Sequence, residues 1–93
     1  MKETELKEVM NEVVKEIYES AYGNLVTAHN HYKEYIDSDL KDKTARSMAD
    51  EFKEHAYEDM YLISKFSDRD YSELLKEMPW PFSYDTEITK WWE

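Results

Sequence analysis

The stretch ELKEVMNEVVKEIYESAYGNLVTAHNHYKEYI, residues 5–36, decides the fold. Its apolar residues recur at spacings of three and four. Met10, Val14, Ile17, Ala21, Leu25, Ala28, Tyr32 and Tyr35 form one stripe, and Val13, Tyr18 and Ile36 widen it. That period marks a helix with one buried face. Glu5, Lys7, Glu8, Glu12, Lys15, Glu16, Glu19 and Lys33 occupy the solvent face. The spacing predicts one long helix within 1–36, regular from about Thr4. Gly23 lies inside it, where glycine costs about 1 kcal/mol relative to alanine. A kink or a close helix approach is expected there, with two shorter helices broken at Gly23-Asn24 as the alternative.

Downstream, Asp37-Ser38-Asp39-Leu40-Lys41-Asp42 is polar and rich in capping residues, and Ser38 or Asp39 can receive the first free amides of a new helix. A second stripe of Ala45, Met48, Ala49, Phe52, Ala56, Ile63 and Phe66 predicts a helix over 42–66. Ser67 and Asp68 offer a further cap. Tyr71, Leu74, Leu75 and Met78 then form the face of a short third helix over 68–78, stopped by Pro79. The tail, 79–93, is aromatic and irregular. It reads either as an anchor for a partner or as a strap over the chain's own stripe.

The expected fold is therefore all-α: an antiparallel hairpin of two long helices, a short third helix and an aromatic tail, in one domain. One stripe on each long helix buries only one seam. A homodimer or higher oligomer, with two hairpins pairing into a four-helix bundle, is the expected way to cover the remainder. Eight tyrosines, three tryptophans and five methionines point the same way, although an aromatic core would also use them.

Charge narrows the function. Asp and Glu number 22 against 12 Lys and Arg, for a formal charge of -10, so the chain should repel nucleic acid rather than bind it. With no cysteine, a disulfide scaffold or zinc finger is excluded. One glycine leaves no loop to cradle phosphate. No apolar run approaches the roughly 18 residues of a membrane span. MKETELKEV lacks the apolar stretch of a signal peptide, and the expected location is cytoplasmic. Carboxylates three and four apart on a helix form rows of negative charge about 5–6 Å apart. Such rows can imitate a phosphate backbone. The concentrated patch is Asp37, Asp39, Asp42, Asp50, Glu51, Glu54, Glu58, Glu73, Glu77, Asp85, Glu87 and Glu93.

On the second helix, Asp59 falls within the apolar stripe with His55 one turn before it. A carboxylate among apolar neighbours must find a partner or take up a proton. His55 is the nearest candidate, and the pair would raise the histidine pKa and lower that of Asp59. Folding the hairpin about residue 39 makes facing residue numbers sum to roughly 79. Ser20 then faces Asp59 and Asn24 faces His55. The expected buried polar cluster is Ser20, Asn24, His55 and Asp59, with Tyr18 and Tyr22 in reach. It is either a network that fixes register or a small-ligand or metal site. His29 and His31 point to nearly opposite sides of their helix and read as surface or interface residues. No nucleophile elbow, P-loop, dinucleotide fingerprint or paired-histidine zinc motif is present.

The run Asp50-Glu51-Phe52-Lys53-Glu54-His55-Ala56 resembles the metal segment on the second helix of ferritin-like proteins, above all the encapsulated ferritins. The run Asn24-Leu25-Val26-Thr27-Ala28-His29-Asn30-His31-Tyr32 is similar to the first-helix segment of bacterioferritins. The likeness spans about half the chain. It implies a helical hairpin that dimerises, with iron oxidised at the seam, iron or another divalent metal being the bound ion. His55 is the one ligand that matches. The glutamate the family carries one turn before that histidine is Phe52 here, and its first-helix glutamate falls near Asn24 or Leu25. A site on this scaffold would use His55 and Asp59 alongside Glu51.

The sequence thus points to a non-enzymatic acidic interaction module that inhibits or regulates a protein with a basic, nucleic-acid-binding surface by charge mimicry. The expected contact residues are Asp37, Asp39, Asp42, Asp50, Glu51, Glu54 and Glu58, with Trp80, Phe82, Trp91 and Trp92 as aromatic anchors. A rewired ferritin-like metal protein and a structural oligomer are the alternatives.

Overall fold

A computed structural model describes residues 2–79, 85 and 87–93, with side chains from residue 8 onward. The chain forms α1 (Lys2–Asp37), α2 (Lys43–Phe66) and α3 (Tyr71–Glu77), with no strand among the described residues. At about 1.5 Å per residue, the 36 residues of α1 span about 54 Å, close to the molecule's full length of 57 Å. The 24 residues of α2 reach only about 36 Å. The start of α1 therefore runs on alone, and Val9 and Met10 there are 57% and 40% exposed.

The two long helices pack antiparallel. Arg46 lies 5.6 Å over the Tyr35 ring, Phe52 stacks on His31 at 5.9 Å, and Asp59 meets Asn24 at 3.0 Å. The seam is lined by Ala21, Leu25 and Ala28 of α1 and by Ala49, Ala56, Met60 and Ile63 of α2, all fully buried. Alanines on both sides let the backbones approach closely. Leu74 of α3, Met78 just after it and Ile88 of the tail close the core.

α1 is continuous through Gly23. That residue is exposed, and a Cβ built on it would meet nothing within 4 Å, so it marks neither a break nor a close approach. The turn after α1 is built by backbone geometry. Asp39 and Leu40 adopt left-handed φ values of 59° and 64°. Leu40 N–H returns to Tyr35 O at 3.1 Å and Asp39 N–H to Ile36 O at 3.0 Å, which satisfies the last carbonyls of α1. Ser38 and Asp39 do not cap α2. Ser38 Oγ donates to Tyr35 O and accepts from the amides of Lys41 and Asp42, while the carboxylate of Asp42 takes the Ala45 amide at 3.0 Å.

Ser67 likewise closes α2 instead of opening α3, because its Oγ donates to Ile63 O at 2.7 Å. α3 then starts at Tyr71 with Asp70 as its N-cap residue, later than the pattern suggested. No described helix is long and apolar enough to cross a membrane.

Candidate interaction surface

The seam has two flanks. On one, Ser20 Oγ and Asn24 Nδ2 both donate to Asp59 Oδ2 at 3.0 Å. Ser20 lies four residues before Asn24, so the two share one face of α1 and reach the same oxygen. Burial pushes the Asp59 carboxyl above its ordinary value, against the pull of these two hydrogen bonds. That corrects the expectation of a lowered value, which required His55 as an ion-pair partner. His55 turns outward instead. Its Nδ1 lies 3.7 Å from Glu58 and its Nε2 4.0 Å from Glu51, and the side chain is half exposed. Glu51, His55 and Asp59 therefore do not converge on a point. Among the described residues no group of three or more histidines or acids is placed to hold a metal ion.

Tyr18 and Tyr22 belong to the other flank, away from this cluster. Trp92 stacks on Tyr18 at 5.1 Å and meets Tyr22 edge-on at 6.2 Å. Arg69 donates to Tyr18 Oη at 3.1 Å and clamps the Glu77 carboxylate with both terminal nitrogens. Burial pushes the Tyr18 phenol up while the Arg69 guanidinium pulls it down. Lys90 reaches Glu19 at 2.9 Å. His29, expected at the surface or an interface, is 5% exposed, because the tail passes over this side of α1. His31 lies at the surface, 3.3 Å from Glu34.

Trp91 and Trp92 thus pack as a strap on their own core. Their indole N–H groups are buried, with no hydrogen-bond partner among the described residues. Trp80 and Phe82, the other two expected anchors, lie outside the described residues.

The acids divide by what surrounds them. Asp50 lies between Arg46, at 3.4 Å, and Lys53, at 3.9 Å. Asp42 is engaged at the start of α2. Asp37 and Asp39 are exposed at the turn. Glu51 and Glu58 are 62% and 75% exposed, and among the described residues His55 is the one ion-pair neighbour of each. Glu54 is exposed and makes no ion pair among the described residues. Glu51, Glu54 and Glu58 are three and four residues apart, so they form one outward ridge on α2.

Past the ridge lies a feature that sequence reasoning missed. Tyr57, Glu58, Tyr61, Leu62 and Tyr71 line a hollow of about 410 Å³ where α2 meets α3. Tyr61 and Tyr71 stand at 83° with centroids 5.7 Å apart. Burial, and then the neighbouring Tyr71, push the Tyr57 phenol up, so it stays neutral. The four-residue spacing of Tyr57 and Tyr61 was a readable signal, whereas the approach of Tyr71 depends on the turn between the helices.

Two serine hydroxyls of the arrangement are tied to acids. The described serines near acids, Ser20 and Ser72, donate to carboxylates without a histidine base between them. Its resources are charge and aromatic surface. Comparisons with protein-family models, curated proteins and solved structures found no match.

Proposed function

We propose that the chain is a non-enzymatic acidic interaction module whose α2 ridge engages a basic protein surface, in the manner of a phosphate backbone. The observation that carries this reading is the ridge itself. Glu51, Glu54 and Glu58 point outward in one row, and none has a lysine or arginine within ion-pair distance among the described residues. Four of the chain's bases are spent elsewhere: Arg46 and Lys53 on Asp50, Arg69 on Glu77, Lys90 on Glu19. A rigid helix fixes the spacing of the charges before contact, which lowers the cost of ordering them on binding. Inhibition of a nucleic-acid-binding protein by occupation of its basic groove is the sharpest form of the proposal.

The test is capture from the native cell with wild-type chain and with E51Q/E54Q/E58Q, followed by reassay of each captured protein in purified form. The expected result is a direct partner with a basic surface that the triple variant fails to hold. Equal retention by the triple variant would overturn the reading. The substitutions remove charge at exposed positions, so folding should be unaffected, and circular dichroism checks it.

A further inference from the structure

We propose that the hollow bounded by Tyr57, Tyr61, Tyr71 and Glu58 is a docking site for an arginine side chain of the partner. The inference rests on the reading of α2 as a recognition ridge and extends it to a particular chemistry. Three lines of observation meet there.

The first is composition. Aromatic faces carry negative charge, and a guanidinium both stacks on such faces and pairs with a carboxylate. Three tyrosines beside an exposed glutamate supply both partners in one place. Tyr61 and Tyr71 stand nearly perpendicular, so they form a corner rather than a flat stack.

The second is that cations already visit these rings. Lys65 Nζ lies 4.9 Å from the Tyr61 centroid and Lys53 Nζ 5.8 Å from that of Tyr57. Each lysine comes from one turn along the same helix, so the ring faces are turned to where cations reach them. The third is continuity. Glu58 belongs both to the hollow and to the ridge of Glu51 and Glu54, so one basic surface can meet both. Tyr61 and Leu62 are 48% and 43% exposed, which leaves apolar surface for the arginine stem to cover.

Arginine is favoured over lysine because its planar, weakly hydrated head gives up less solvation on stacking. Lys65 competes for the Tyr61 face, so its removal should help an incoming guanidinium.

The probes are a short capped peptide with two arginines and its lysine counterpart, titrated into the full chain at low salt and followed by tyrosine ring resonances. The arginine peptide should bind tighter than the lysine peptide by up to about 5-fold, the whole worth of an exposed cation–π contact being the upper bound. Tyr61→Leu should erase that preference, and Tyr61→Phe, which keeps the ring, should retain it. Lys65→Ala should tighten the arginine peptide more than Lys76→Ala, which removes the same charge elsewhere. Equal binding of the two peptides, indifferent to Tyr61→Leu, would overturn the hollow and leave the ridge standing. No binding of either peptide would also overturn it. E51Q/E54Q should weaken both peptides alike; if it weakens neither while Tyr61→Leu abolishes the preference, the ridge reading fails and the hollow survives.

Discussion

The two flanks of the helical seam solve the same problem with opposite materials. On one, α3 and the tail lay Leu74, Met78, Ile88 and Trp92 against the core, and water is excluded. On the other, Ser20 and Asn24 hold the Asp59 carboxylate at the rim, with Ser20 itself exposed. Apolar cover gains stability in proportion to the area it hides. A rim carboxylate gains less, on the order of 1 kcal/mol per hydrogen bond, because each bond replaces one to water. What the polar flank supplies is register: only one alignment of α1 and α2 brings Ser20 and Asn24 to the same oxygen. The covered flank should therefore carry the stability, and the polar flank the alignment.

The largest effect that can break this comparison is Leu74→Ala. Leu74 is fully buried, so the change should cost about 2–4 kcal/mol. At about 4–8 °C per kcal/mol for a domain of this size, the Tm should fall by about 10 °C or more. A shift of only a degree or two in thermal melting would show that α3 is not part of the cooperative unit. Trp92→Ala should come next, at about 2 kcal/mol, with early proteolytic loss of the tail. Its cost is held down because the Trp92 indole buries an N–H that has no partner among the described residues. On the polar flank, Asn24→Ala should cost only about 1 kcal/mol in denaturant unfolding. A loss exceeding that of Leu74→Ala would reverse the assignment of roles.

The smallest effect is set by pH. Burial raises Asp59 from its ordinary 3.8 in the folded chain. A raised value means that the proton favours folding: the contribution is full below the unfolded pKa and is lost as pH rises through the folded one. Wild type should therefore gain stability relative to Asp59→Asn as pH falls from neutrality towards 3.8. A difference between the two proteins that stays flat or moves the other way would show that the hydrogen bonds, and not burial, dominate at Asp59.

The sequence carried the hairpin because apolar spacing along α1 and α2 is a local property of each helix. The meeting of Ser20 with Asp59 follows from that spacing plus one register, which the short turn nearly fixes, whereas Asn24, expected opposite His55, also reaches Asp59. Other placements required information no local pattern holds. His55 stands at the edge of the α2 stripe, and its half-exposed ring lies between Glu51 and Glu58 of its own helix. His29 is buried on the side of α1 to which Glu87 and Ile88 of the tail return. Tyr18 and Tyr22 sit on the flank where Trp92 docks, and that docking depends on a segment without helical period. The left-handed Asp39 and Leu40 were equally hidden, since neither is the glycine that usually announces such a turn. The tyrosine hollow was half visible, in Tyr57 and Tyr61, and half a product of the α2–α3 turn.

The most direct test of the acidic ridge is the salt dependence of binding to the purified partner, for wild type and for E51Q/E54Q/E58Q. Charges in solution are screened over about 10 Å at 0.1 M salt. The account predicts that wild-type affinity falls steadily as salt rises, with a clearly shallower fall for the triple variant at unchanged helicity. Affinity indifferent to salt, or the same salt dependence in both proteins, would contradict it.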